Sequence, residues 1–155
     1  MDFRPIFYVI GVLLIILAGS MSLPMLADLY MASPDWKVFF LCIVITAFFS
    51  GALILSNNSP GFQIRTRQAF LMTFLSWVVL ALFGALPFKL SALQMNFTDS
   101  FFESMSGITT TGSTVIVGLD NAPPGILLWR AMLQWLGGIG IIVVAMGFFP
   151  ELRVG

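Results

Sequence analysis

The chain has 155 residues, 59% of them hydrophobic and 9% charged, and its seven basic side chains balance seven acidic ones. A soluble domain carries about 25% charged residues, so this composition cannot cover a water-facing surface and specifies an integral membrane protein. Zero net charge offers no basic face to nucleic acid, and the lack of any histidine removes histidine acid–base catalysis, Ser-His triads and histidine metal sites together.

A membrane-crossing helix needs about 20 apolar residues, and four stretches meet that length. The first is Pro5 to Leu29, with Pro5 tolerated in the first turn and Pro24 kinking the far end. Its apolar run outlasts the about 7–15 residues of a signal-peptide core, so it is expected to be retained. Asp28 to Asp35 is a short polar connection. Trp36 to Ser56 is the second span, opened by Ser33-Pro34 and an interfacial Trp36, with Cys42 as a small apolar residue. A turn-rich loop, Asn57 to Arg67, leads into the third span, Gln68 to Leu90, with Pro87 near its exit. After Ala122-Pro123-Pro124-Gly125 comes the last span, Leu127 to Phe149.

Asn96 to Met105, between the third and last spans, is too short to cross a bilayer, since ten helical residues rise about 15 Å. Thr98 or Asp99 is its expected N-cap, and Gly107 its expected stop. The polar stretch Ser106-Gly-Ile-Thr-Thr-Thr-Gly-Ser-Thr114 follows. Non-helical chain at membrane depth is tolerated only where it is buried in protein or lines a water-filled path. Glycine allows the backbone conformations that turn successive carbonyls one way, and threonine adds oxygen without charge. Thr110, Thr111, Gly112 and Ser113, flanked by Thr109 and Thr114, are therefore candidate ligands for a desolvated cation. A short helix would aim its partly negative C-terminus at the same path. The bland alternative is a polar turn that only packs between helices. Gly107 to Thr114 nearly spells a phosphate-binding loop, but Ser113 stands in the lysine position and no strand precedes it, which excludes nucleotide binding there.

By the bias of positive charge toward the cytoplasm, Arg4, Arg65, Arg67 and Arg153 are expected inside and Lys37, Lys89 and Arg130 outside. Both termini are then cytoplasmic, and the polar loop enters from outside. A charge at membrane depth is usually paired, so a Glu103–Arg130 or Asp99–Arg130 contact is expected to brace the loop; the alternative is that Arg130 snorkels to the interface. Gly137, Gly138 and Gly140 read as close helix packing, or as a hinge. An intramembrane hydrolase lacks a base near Ser104, Ser106 or Ser113.

Thr98-Asp-Ser-Phe-Phe-Glu-Ser-Met-Ser-Gly-Ile-Thr-Thr-Thr-Gly112, followed by Leu128-Trp-Arg-Ala-Met-Leu-Gln-Trp-Leu-Gly-Gly-Ile-Gly-Ile-Ile142, resembles the first pore repeat of the TrkH/TrkG/KtrB potassium-transporter superfamily, with the TrkH type nearest. Phe3-Arg4 and Ala85-Leu-Pro-Phe88 fit the same pattern. The resemblance implies an all-α membrane protein, with four transmembrane helices plus a re-entrant pore helix and filter loop. Residues 1–67 would be a two-helix N-terminal segment. Residues 68–155 would be the first M1–pore loop–M2 repeat, with Thr98–Ser106 as pore helix and Thr109–Thr114 as filter strand. It further implies potassium as the transported ion at Thr110 and Thr111, Gly112 as the filter glycine, no cofactor in the chain and no enzymatic activity. The partners implied are membrane lipid, a TrkA-type cytoplasmic nucleotide-binding subunit and a second copy of the full-length chain, in a bacterial inner membrane. Ser113 departs from the tyrosine of potassium-channel filters. One loop is a quarter of a ring, so the chain is expected to be a fragment lacking three further repeats. The alternatives are four copies around one path, or a non-conducting structural or assembly subunit.

Overall fold

The computed structural model describes residues 3–57 and 66–148; the side chains of Thr66 and of 143–148, and everything about the remaining residues, lie outside that description. Arg65, Arg153 and most of the Asn57–Arg67 loop are among the latter. The described residues form helices and connecting chain without a strand: α1 Arg4–Ser20, α2 Ser22–Tyr30, α3 Trp36–Asn57, α4 Thr66–Gly84, α5 Leu86–Leu90, α6 Phe97–Ile108 and α7 Pro124–Phe148, with a 3-10 turn at Leu119–Asn121. Four stretches are long and apolar enough to cross a membrane: Arg4–Tyr30, Trp36–Asn57, Arg67–Leu90 and Pro124–Ile142.

Two of these spans are broken helices, and proline explains both breaks. A helical proline removes one N–H and clashes with the carbonyl four residues earlier. Pro24 disturbs the turn at Ser20, and the break falls at Met21 between α1 and α2. Serine hydroxyls take up local carbonyls there: Ser22 Oγ donates to Gly19 O at 2.6 Å and Ser20 Oγ to Leu17 O at 2.7 Å. That is how helix breaks are tolerated where water is absent. Pro87 acts alike on the third span, which breaks at Ala85 between α4 and α5. The last span starts at Pro124 rather than Leu127, because proline's fixed φ and missing N–H suit a first helical turn.

The connection 31–35 is short, so α1–α2 and α3 run antiparallel. Ile6, Ile10, Leu14 and Leu17 form a buried stripe on α1 that faces the buried stripe Phe39, Cys42, Thr46 and Ser50 of α3. Gly11 makes the close approach possible, since a Cβ there would stand 2.8 Å from Ile54 Cγ1 and 3.2 Å from Ile54 N. Ser50 Oγ closes the contact by donating to Gly11 O at 2.7 Å. This is the membrane pattern, small residues for proximity and a hydroxyl for an interhelical bond. The outer faces of α3 and α4 expose Phe40, Phe48, Phe70 and Phe74, which lipid accepts at no cost. Phe83 instead packs inward and meets Phe49 edge to face at 5.5 Å.

The α1–α3 unit docks on the remaining helices through α1 against α4 and α2 against α7, while α6 lies between α4 and α7. Replacing Gly11 by leucine should separate α1 from α3. Overpacking of this kind costs about 1–3 kcal/mol, and a thermal melt in detergent that matches the parent would contradict the packing described here.

Candidate functional site

At 12 residues, α6 spans about 18 Å, too short to cross a bilayer. Its start differs from expectation. Neither Thr98 nor Asp99 is the N-cap; Asn96 is, accepting from Asp99 N at 2.8 Å while its own Nδ2 donates to Asp99 Oδ2 at 2.7 Å. This reciprocal arrangement satisfies an orphan N–H and puts a carboxylate at the positive end of the helix. Its end differs too. Gly107 does not stop α6, which runs on to Ile108. The glycine is there for proximity: a Cβ would stand 3.0 Å from Leu133 Cβ of α7.

Beyond Ile108 the chain leaves the helix by a tight wrap. Thr110 N donates to Gly107 O at 2.9 Å, and Thr111 N and Gly112 N both donate to Ser106 O, at 3.0 and 3.2 Å. Thr110 and Gly112 adopt positive φ, 60° and 78°. At Gly112 this is free of steric cost; at Thr110, β-branched, it costs about 1–3 kcal/mol and persists only because its surroundings enforce it. Ser106 Oγ then donates to Ser113 O at 2.6 Å, and the hydroxyls of Thr109 and Thr111 lie 2.9 Å apart. Residues 109–115 are all exposed. Among the described residues, the carbonyls of Thr110, Thr111 and Gly112 accept no hydrogen bond. These exposed residues thus hold a short run of backbone oxygens without partners among the described residues, beside threonine and serine hydroxyls.

Beside this loop sits Glu103, 1% exposed. One carboxylate oxygen accepts from Thr114 Oγ1 and Val115 N, both at 3.0 Å. The other accepts from Arg130 Nε of α7. The side chain of Arg130 is only 14% exposed, so it is held inward and does not snorkel. Asp99 is not brought to Arg130; it is occupied at the N-cap. Glu103, Arg130 and Thr114 thus meet, while Asp99 stands one turn before Glu103, at the start of α6.

Gly137 makes room for the loop's other support, the Ile108 carbonyl at the end of α6. A Cβ there would overlap the carbonyl of Ile108, whereas Gly138 and Gly140 have nothing within 4 Å of theirs. Ser106 and Gly137 were not distinguishable as supports from sequence. Ser106 carried only the signal of a hydroxyl one turn before the threonines, and Gly137 looked the same as its two neighbours.

A family model described as TrkH, a cation transport protein, matches residues 35–154. The chain belongs to that family. The relatives bear this out over the whole chain. It is 43% identical to the Trk system potassium uptake protein TrkH of Halomonas elongata and 41% identical to that of Escherichia coli K12, in each case over 100% of this chain and 32% of the relative. The crystal structure of the potassium transporter TrkH from Vibrio parahaemolyticus superposes with a TM-score of 0.90 at 39% identity, covering 100% of this chain and 33% of that one. The chain therefore spans about a third of the length of these relatives, and it is a multi-pass membrane protein of the TrkH family.

Two outcomes check the supports. Glu103→Gln leaves Arg130 without its counter-charge, and breaking a buried pair costs about 3–5 kcal/mol; a melting curve identical to the parent's would rule the brace out. Gly137→Ala should destabilise by about 1–3 kcal/mol through overpacking, while Gly138→Ala should be neutral; equal effects would contradict the contact with Ile108.

Proposed function

We propose that this chain forms one wall of a potassium-conducting path in the membrane-embedded translocating subunit of a Trk-type uptake system. The observation that carries the reading is the run of carbonyls at the exposed residues Thr110, Thr111 and Gly112 that accept no hydrogen bond among the described residues, mounted on a half-length helix and held by a buried ion pair. A desolvated potassium ion needs several oxygens at once, and backbone carbonyls in a non-helical strand supply them. The C-terminus of α6, negative by its aligned peptide dipoles, adds attraction for a cation. The names of the relatives, potassium uptake proteins and a potassium transporter, support potassium as the ion.

In this reading α6 is a re-entrant pore helix and Thr109–Thr114 the filter strand, with Thr110, Thr111, Gly112 and Ser113 facing the ion. Residues 68–155 make a helix–pore loop–helix repeat, and residues 1–67 precede it. One such loop cannot surround an ion, so the path closes with further loops of the same kind. The termini face the cytoplasm of a bacterial inner membrane, where a TrkA-type nucleotide-binding subunit and a second copy of the subunit complete the system. Transport needs no cofactor bound by this chain.

Gly112→Val tests the proposal. An L-residue at left-handed φ costs about 1–2 kcal/mol, and its side chain would meet Gln134 Nε2, which lies 3.4 Å from the Cβ position. Rubidium uptake by cells relying on the intact transport protein should fall by about tenfold or more, as a strained ligand strand implies. The protein should remain in the membrane at the parent level. Unchanged uptake would leave the loop as a packing turn and the chain as a structural subunit.

A further inference from the structure

A second acidic residue stands far from the loop in sequence and has no part in the reading above. Asp28, in the last turn of α2, is fully buried. Its Oδ1 accepts from Gly125 N, the second residue of α7, at 2.7 Å. A helix start has N–H groups without internal partners and a partial positive charge, so Asp28 caps α7 from another part of the chain. Gly125 is needed for this, because a Cβ there would overlap the Asp28 carboxylate. Four residues on, Trp129 is fixed as well: its Nε1 donates to Gly84 O at 2.9 Å, and its ring meets Phe39 of α3 edge-on at 6.3 Å. The next residue is Arg130, which pairs with Glu103. Between Gly125 and Arg130 lies one continuous helix, about 7.5 Å along its axis, with no glycine or proline to absorb a shift.

We infer that Asp28 is a positioning residue for the ion path: by capping α7 it sets the height and rotation of Arg130, which through Glu103 sets the backbone at Thr114 and Val115. The inference rests on the pore reading. It gives the N-terminal helices a role in ion preference, acting through α7. Asp35 ties the same unit to the other side of the loop's scaffold, accepting from Ala92 N just after α5 at 3.2 Å.

The experiment compares rubidium and sodium uptake, per copy in the membrane, for the intact transport protein and four variants. Asp28→Ala removes the cap, and Gly125→Ala displaces the same carboxylate without altering it. Asp28→Asn retains an oxygen that can accept from Gly125 N, and Gly112→Val reports on the path itself. Asp28→Ala and Gly125→Ala should each lower the rubidium-to-sodium ratio by about two- to thirtyfold, the range over which remote couplings act. Asp28→Asn should retain most of the parent ratio. A ratio unchanged in both alanine variants, or uptake that falls only in step with the number of copies, overturns the inference. Failure of both to accumulate also overturns it, since the contact would then serve folding alone. If Gly112→Val keeps full rubidium uptake, the pore reading itself fails; if Gly112→Val abolishes uptake while the Asp28 variants are silent, only the positioning role fails.

Discussion

A carboxylate removed from water needs partners for both oxygens, and Glu103 has them. Arg130 Nε donates to one, and Thr114 Oγ1 with Val115 N to the other. Removing Arg130 leaves a buried charge uncompensated, an arrangement strongly unfavourable in a medium of low polarity, and removing the neutral donors leaves a buried oxygen without its hydrogen bonds. Three segments are therefore obliged to stay together: the middle of α6, the chain leaving the threonine loop and the second turn of α7. The remaining contacts are consistent with this obligation. Gly107 and Gly137 let α6 and the Ile108 carbonyl lie against α7, and Ser106 ties the helix end to Ser113.

The loop shows how exposed backbone can be ordered without regular structure. Its amide groups at 110–112 donate to Ser106 and Gly107, while its carbonyls accept no hydrogen bond among the described residues. A strand paired in a sheet would have used both. Under the proposed role, this division between anchored donors and acceptors without a partner among the described residues would suit the segment to a cation, and it depends on two residues at positive φ.

Much of the fold was legible because membrane spans are read from apolar length alone. All four spans were located this way, and Pro24 signalled the kink near the far end of the first; Pro87 was placed near the exit of the third, but the break there was not expected. The short helix and the threonine–glycine loop stood out by contrast with their apolar flanks. Boundaries were less legible. Asn96 supplied the cap instead of Thr98 or Asp99, because a capping side chain sits just outside the helix it serves. Gly107 was misread as a stop, since glycine marks helix ends and close helix contacts alike, and only the neighbour decides between them. Asp28 looked like part of a polar connection. Its partner lies 97 residues away, and no local pattern announces a cap supplied from that distance.

The left-handed backbone at Thr110 has a kinetic consequence. Glycine would hold that conformation without strain, but it would also let the neighbouring peptide plane swing over freely. A residue with a side chain has fewer backbone conformations open to it than glycine, and here the surroundings hold it at this one. Under the proposed role, each passing ion would meet an oxygen already facing it. Permeation would then be free of the delay of reorienting a flipped amide, at the expense of a standing strain carried whether or not an ion is present.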